Sequence, residues 1–295
     1  MNIEDVIIVG AGPGGLAAAL QLERYGIKPI LFEQARLGGL LNNANLVENY
    51  PGFPGGISGT ELVNLFSDQA AAYQLNIKKS RLENLDYADG LFLGSTKGET
   101  IPSRVAVIAS GTKPRKFTDL EIPKQVQHRV LYEIYPLLDE RGKRIAIVGA
   151  GDAAFDYALN LGKNNQVYIL NRGQVSSCLP LLKDRAGSIP SIEYHLETRI
   201  SRINPLQNNL ILLDCLSPKG PKTYTVDFLV CAIGRVPNLD FVSSHLMEKA
   251  IQLANSGQLY HVGDVANGLY RQTAIAVGDG ILSAMKIYQY FQENV

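Results

Sequence analysis

Cysteine is scarce: the 295 residues hold three, Cys178, Cys215 and Cys231. Odd in number, far apart and without a CxxC pair, they exclude a disulfide-stapled scaffold and read as free, partly buried thiols. The four histidines (His128, His195, His245, His261) show no metal-ligand spacing, so no metal site is expected. Net charge is absent, because Lys plus Arg and Asp plus Glu number 28 each, and no overall field draws in nucleic acid or an anionic membrane. There is no basic run, no low-complexity tract and no apolar run approaching the ~18 residues of a membrane span. The first strand begins within about five residues of the start, which leaves no room for a signal peptide. These absences point to a cytoplasmic chain with neither a nucleic-acid nor a membrane partner. What is present is 46% hydrophobic and 19% charged sequence, well packed and long enough for two domains.

The most informative stretch is VIIVGAGPGGLAAALQLERYGIKPILFE, Val6 to Glu33. An apolar run leads into Gly10-Ala11-Gly12-Pro13-Gly14-Gly15, good helix formers follow over Leu16–Tyr25, and a second apolar run at Pro29–Phe32 ends in Glu33. Strand, glycine turn, helix, strand and acid in this order make a dinucleotide-binding unit. Gly10 allows the sharp turn, Gly12 lets backbone approach a pyrophosphate, and Gly15 lets helix and strand pack closely. The pyrophosphate then meets unpaired N–H groups at the positive end of the helix dipole. Glu33, about twenty residues after the first glycine, is placed to accept from a ribose diol.

Further along, the Gly-, Pro- and Asn-rich stretch from Gly38 to Gly56 carries Leu40, Leu41, Val47, Tyr50 and Phe53, and reads as an ordered loop. Ser58-Gly59-Thr60-Glu61 is a capping box opening a helix to about Tyr73. Ile77–Thr100 suggests short antiparallel strands, Val105–Ala109 a buried strand, and Ser110–Arg115 a turn and linker. The pattern then restarts. Arg144–Val148 leads into Gly149-Ala150-Gly151-Asp152-Ala153-Ala154, a helix ends at Gly162, and the strand Val167–Leu170 ends in Asn171-Arg172. Further strands are read at Ser191–Ile203, Asn209–Leu216 and Thr223–Val230, a turn at Ala232–Asn238, and a last helix over Thr273–Phe291.

The segments GAGPGG, GGLL, VENYPGFPGG, ASGTKPR, GAGD, AIGRVPN, HVGDVA and YRQTAIAVGDG occur in that order. Together they resemble the low-molecular-weight thioredoxin reductase family over nearly the whole chain, VENYPGFP and YRQ being the most specific. The resemblance implies an α/β fold of two dinucleotide-binding, Rossmann-like three-layer domains, the second inserted into the first. The FAD-binding domain would be 1–113 with 236–295, and the NAD(P)-binding-like domain 114–235. A homodimer is also implied. By position, Gly10, Gly12, Pro13, Gly14 and Gly15 would hold the FAD pyrophosphate, and Glu33 with Gln34 the adenosine ribose. Gly39, Leu40 and Asn49 would line the flavin, with Gly111 and Gly263 in the same site. Asp264 would contact the ribityl or pyrophosphate region, and Arg271, Gln272 and Thr273 the flavin pyrimidine edge. That last placement makes electrostatic sense, because reduced flavin is negative near N1 and a helix starting at Thr273 aims its positive end there. Gly149, Gly151, Asp152, Ala154 and Arg172 are the candidates for NADH or NADPH.

The chain departs from the family at two places. The family's working dithiol, counted back without gaps from Gly149, falls on Tyr132 and Tyr135, and a phenol neither attacks nor resolves a disulfide. Of the HRR…R cluster that reads the NADP 2′-phosphate, only Arg172 survives in Asn171-Arg172-Gly173-Gln174-Val175-Ser176-Ser177. Each missing guanidinium removes charge-assisted bonds worth roughly 1.5–3 kcal/mol. No acid stands at Asn171 to select NADH, so NADH, weak NADPH or nothing all remain open at this site. The expected activity is that of an FAD-dependent oxidoreductase without a redox-active disulfide. It would pass electrons between NAD(P)H or a ferredoxin- or flavodoxin-type carrier and a non-thiol acceptor. Two other readings stay open: a ferredoxin- or flavoprotein-dependent enzyme with a vestigial nucleotide site, and a redox-inactive FAD-bound structural or sensing protein.

Overall fold

Glu4–Val9 (β1) ends in four consecutive buried residues, Val6–Val9, as befits a strand covered on both faces. The computed structural model describes residues Ile3–Asn294. β1 leads through the glycine turn into Pro13–Arg24 (α1), with proline in the first turn where its missing N–H costs nothing. Ile30–Phe32 (β2) follows, then a short 3-10 helix at Gly39–Asn43, Gly59–Ala72 (α2) and Asn76–Lys78 (β3). Asn84–Ala88 (β4), Leu91–Ser95 (β5) and Thr100–Ile108 (β6) form an antiparallel meander.

β3 corrects the sequence reading. It joins β2 in parallel and is not the first strand of the antiparallel set. α2 starts on the predicted capping box: Ser58 Oγ accepts from the Glu61 N–H at 3.2 Å, and the Glu61 carboxylate accepts from the Ser58 N–H at 3.2 Å. Ser58→Ala is expected to cost about 1 kcal/mol of stability, measured by urea denaturation.

Thr112–Pro114 (β7), read as a turn, is a short strand that pairs with Arg235–Pro237 (β16). Between them come Val130–Leu131 (β8), Arg144–Val148 (β9), Asp152–Leu161 (α3), Gln166–Leu170 (β10), Pro180–Gly187 (α4) and Ile192–His195 (β11). Arg199–Pro205 (β12), Ile211–Ser217 (β13), Gly220–Val226 (β14) and Phe228–Cys231 (β15) complete this stretch. The chain closes with Ser244–Asn255 (α5), Leu259–His261 (β17) and Thr273–Glu293 (α6). The sequence reading does not anticipate α5.

The chain divides into two units. The first holds the residues up to Asn42, Val47–Lys113 and those from Val236 on; the second holds Asn43–Leu46 and Pro114–Arg235. Asn43–Leu46 therefore cluster with the second unit, although the sequence assigns them to the first.

In the first unit β3, β2, β1, β6 and β17 are all parallel, and β5 and β4 continue from the first half of β6. One core lies between the sheet and α1 with α6, built on Val6, Ile8, Leu16, Leu22, Val107 and Ile287. The other lies on the opposite face around Ile7, Phe32, Leu85, Phe92 and Leu246. α1 and α6 approach closely because Gly280 has no side chain: a Cβ there would lie 2.2 Å from the Gly14 carbonyl oxygen.

In the second unit the parallel sheet β11-β10-β9-β15-β8 is covered on one face by α3 around Phe155 and Ile169. Its other face is covered by the antiparallel sheet β12-β13-β14, through Ile200, Ile211, Leu213 and Val226. Among the described helices none is long and apolar enough to cross a membrane.

Candidate functional site

The first glycine turn is built by backbone proximity. Gly10, at φ +106°, donates its N–H to the Phe32 carbonyl at 2.8 Å, and a Cβ on it would lie 2.4 Å from the Ala109 oxygen. Gly15 is tighter still, with a Cβ falling 1.9 Å from the Gly10 oxygen. Gly14 has no room either, because a Cβ would meet Val262 at 2.7 Å and the Ala276 oxygen at 3.0 Å. The turn is thus packed against the start of the last helix and the strand end before Gly263.

Gly12 differs from its neighbours. Among the described residues no atom beyond its own turn and helix lies within 4 Å of its missing Cβ, so it faces open space at the start of α1. Gly39, at φ +52°, comes close, and its own Cβ would sit 3.7 Å from the Gly12 Cα. Gly38 brings that segment in, donating its N–H to the Ala11 carbonyl at 2.8 Å, and Asn42 secures it by donating to the Leu37 and Gly39 oxygens. Pro13 opens α1, Leu40 lies in the short 3-10 helix, and Gln34 is exposed beside Glu33.

Glu33 sits where a ribose-reading acid belongs, with its carboxylate held by the Ala11 N–H at 2.9 Å and the Ala35 N–H at 2.8 Å. At the other end Asn49 donates to the Gln272 side chain at 2.9 Å, joining the Asn45–Gly56 loop to the residue before Thr273. Arg271 Nε is buried without a hydrogen-bond partner among the described residues, an orphan donor beside the first turn of α6. Gly111, at φ +62°, follows Ser110 close to Gly10 and accepts from the Asn238 N–H at 3.0 Å. Asp264 lies half-buried after Gly263.

Asp279, to which the sequence reading gives no role, fixes this corner by accepting from the Gly263 N–H at 3.1 Å and from the Asn267 amide. Asn42 carries no motif signal, and Asp279 stands in the YRQTAIAVGDG segment with no role read for it, because their partners are main-chain groups and an amide that only the fold brings near.

These features fit FAD. The open cradle at Gly12 and Gly39, the N–H groups opening α1, the fixed acid at Glu33 and the orphan guanidinium nitrogen at Arg271 match a pyrophosphate, a ribose and an electron-rich ring edge.

The second turn repeats the geometry. Gly149, at φ +141°, donates to the Leu170 carbonyl at 3.1 Å, and a Cβ on it would lie 2.4 Å from the Ala232 oxygen. The missing Cβ of Gly151 meets nothing nearer than Ser177 Oγ at 3.6 Å, and Ala154 is buried under the sheet. Asp152 turns toward the segment after β10, accepting from the Leu179 N–H at 2.7 Å. Arg172 is exposed.

In the same unit Tyr132 packs half-buried against the core under β12–β14, and Tyr135 opens a short 3-10 helix, 38% exposed. Asn43 Oδ1 accepts from the Ile134 and Tyr135 N–H groups at 3.0 and 2.9 Å. Cys215 and Cys231 are buried, which pushes their thiols up to about 11 and about 12; Cys178 is half-buried.

Residues 4–280 match the family described as pyridine nucleotide-disulphide oxidoreductase. The chain belongs to that family. It is 30% identical to a thioredoxin reductase of Pneumocystis carinii, over 98% of this chain and 96% of the relative. It is 28% identical to the NADPH-dependent thioredoxin reductase 3 of Arabidopsis thaliana, over 99% of this chain but 59% of that longer protein. Among solved structures it matches the thioredoxin reductase of Lactococcus lactis with a TM-score of 0.85 at 23% identity, over 98% of this chain and 99% of that one. This pyridine nucleotide-disulphide oxidoreductase is thus thioredoxin reductase-like, an α/β protein of two Rossmann-like domains. It is an FAD-dependent oxidoreductase with FAD and a pyridine nucleotide as its cofactors.

Proposed function

We propose that the chain carries electrons from a reduced pyridine nucleotide through FAD to an acceptor that meets the flavin directly, without a protein dithiol. The thiol chemistry of the chain carries this reading. A dithiol relay needs one thiolate to attack and a second to resolve. Cys215 and Cys231 are buried with raised thiol pKa values, Cys178 has no cysteine close to it in sequence, and Tyr132 and Tyr135 stand where the resemblance places the pair.

In this reading the first unit is the FAD domain and the second receives the nucleotide. When bound, FAD supplies two-electron hydride chemistry. Gly12 and the opening N–H groups of α1 hold the pyrophosphate, and Glu33 accepts from the adenosine ribose. Arg271 and the start of α6 place positive charge where the reduced ring is electron-rich. The acceptor is a ferredoxin- or flavodoxin-type carrier or a small molecule. The exposed apolar residues Ile281, Leu282, Met285 and Tyr288 on α6 support a homodimer.

Anaerobic mixing of the yellow holoenzyme with NADH and with NADPH tests the donor. Rapid bleaching by either one supports the reading, and flavin that only dithionite bleaches refutes it. Cys178→Ser is expected to leave that reduction rate and turnover with a ferredoxin unchanged within about twofold. A loss of about a hundredfold would place a thiol in the electron path.

A further inference from the structure

The two glycine turns are internal controls for each other. In each unit the first glycine donates to the carbonyl of the last residue of the second strand, Gly10 to Phe32 at 2.8 Å and Gly149 to Leu170 at 3.1 Å. The residue after that strand is the one that reads the adenosine ribose: a carboxylate there accepts from the 2′-hydroxyl, and an arginine nearby takes a 2′-phosphate. In the first unit that residue is Glu33, and in the second it is Asn171.

The Asn171 side chain is turned inward and only 5% of the residue is exposed. Its oxygen accepts from the Gly173 N–H at 2.8 Å, and its amide nitrogen donates to the Val175 carbonyl at 3.0 Å and to Tyr194 Oη at 2.8 Å. A donor on one side and a carbonyl on the other fix which way the amide points, and both its N–H groups are used. Asn171 therefore shapes the loop and gives no donor to a phosphate.

The charges around that loop are of mixed sign. Arg172 is its one cation, and Glu197 lies across it. Glu197 donates its N–H to the Gly173 carbonyl at 3.0 Å, and its carboxylate accepts from the Gln174 amide at 3.0 Å. Its backbone is left-handed, at φ +47°, an arrangement a non-glycine residue seldom adopts. A 2′-phosphate seated on Arg172–Gln174 would bring nearly two negative charges toward this carboxylate, with Arg172 as the loop's own cation to offset them. A 2′-hydroxyl brings no charge and can donate.

Building on the proposed nucleotide role of this unit, we propose that its site selects a pyridine dinucleotide with a free 2′-hydroxyl, NAD(H), over the 2′-phosphorylated form. The inward-turned Asn171 withholds a phosphate donor, and the Gln174-held carboxylate of Glu197 repels the phosphate.

Isothermal titration of the holoenzyme with NAD⁺ and with NADP⁺ reads this without turnover. NAD⁺ is expected to bind at least about tenfold more tightly, and the gap to widen at low salt as screening falls. Glu197→Gln keeps an acceptor for Gln174 and removes the charge. It is expected to tighten NADP⁺ several-fold while NAD⁺ stays within about twofold, which also reports that the variant is folded. NADP⁺ binding as tightly as NAD⁺ would overturn the selectivity. An unchanged ratio in Glu197→Gln would overturn the role of Glu197. Failure of both nucleotides to bind would overturn the nucleotide role of the second unit as well.

Discussion

Gly12→Ala is expected to fold like the parent and to emerge without its yellow colour, whereas Gly15→Ala is expected to fail to fold. The two glycines are three residues apart in one turn, and the difference lies in what a methyl group meets. At Gly12 it meets, among the described residues, no atom beyond its own turn and helix within 4 Å, so the apoprotein has nothing to accommodate. The methyl instead fills the space in which the pyrophosphate must approach the backbone, and FAD affinity should fall by two orders of magnitude or more, about 3 kcal/mol. At Gly15 it lands 1.9 Å from the Gly10 carbonyl oxygen and 3.1 Å from the carbon behind it. Those are main-chain atoms at the junction of β1 and α1, so relief requires moving a helix off its sheet. Overpacking of side chains alone costs roughly 1–3 kcal/mol, and a backbone clash lies at or beyond the top of that range. Flavin absorbance after purification and urea denaturation of the apoproteins separate the two outcomes.

The second large effect is a gain in stability. Asp156, on α3, accepts from the Asn45 N–H at 2.9 Å, inside the second unit. Burial raises its pKa from 3.8 to about 6, although the Asn45 and Leu46 N–H groups and Lys163 pull the other way; Asp152, one turn earlier, adds to the rise. A folded-state value above the unfolded one means that stability is full below about pH 4, falls as the unfolded chain ionises first, and settles lower once pH passes the folded value. The displacement corresponds to about 3 kcal/mol, less whatever solvent screens at a half-buried site. Asp156→Asn keeps an oxygen for the Asn45 N–H and removes the charge. It is expected to stabilise the protein by roughly 1–3 kcal/mol at pH 7–8, with the advantage shrinking through pH 6 to 4 and gone below. Urea midpoints across that range check both the size and the direction.

These sites divide the molecule into what could be read in the sequence and what could not. The first βαβ unit was legible because its glycines answer local demands, a positive φ at Gly10 and a backbone contact at Gly15, which no other residue type meets. The Ser58 cap was legible for the same reason, its partner being three residues away. β3 is misread because Asn76-Ile77-Lys78 alternates polar and apolar as a half-buried antiparallel strand does, and only its pairing with β2 decides its direction. Asn42, Asp279 and Asn171 are invisible as organisers, since each binds main-chain, amide or hydroxyl groups that the fold delivers. In the sequence Asn171 is merely the absence of an acid. In the structure its amide is used up by Gly173, Val175 and Tyr194, and the acid that matters, Glu197, arrives from the turn between β11 and β12.

In the proposed function the electrons rest on FAD alone, with no protein disulfide as a second store. An anaerobic titration of the holoenzyme with dithionite, followed by flavin absorbance and closed by a thiol count before and after, measures this directly. FAD takes up two electrons, and a redox-active disulfide takes up two more. The expected end point is two electrons per FAD, with no thiols gained. An end point of four, with two new thiols, would contradict it and put a dithiol back in the electron path.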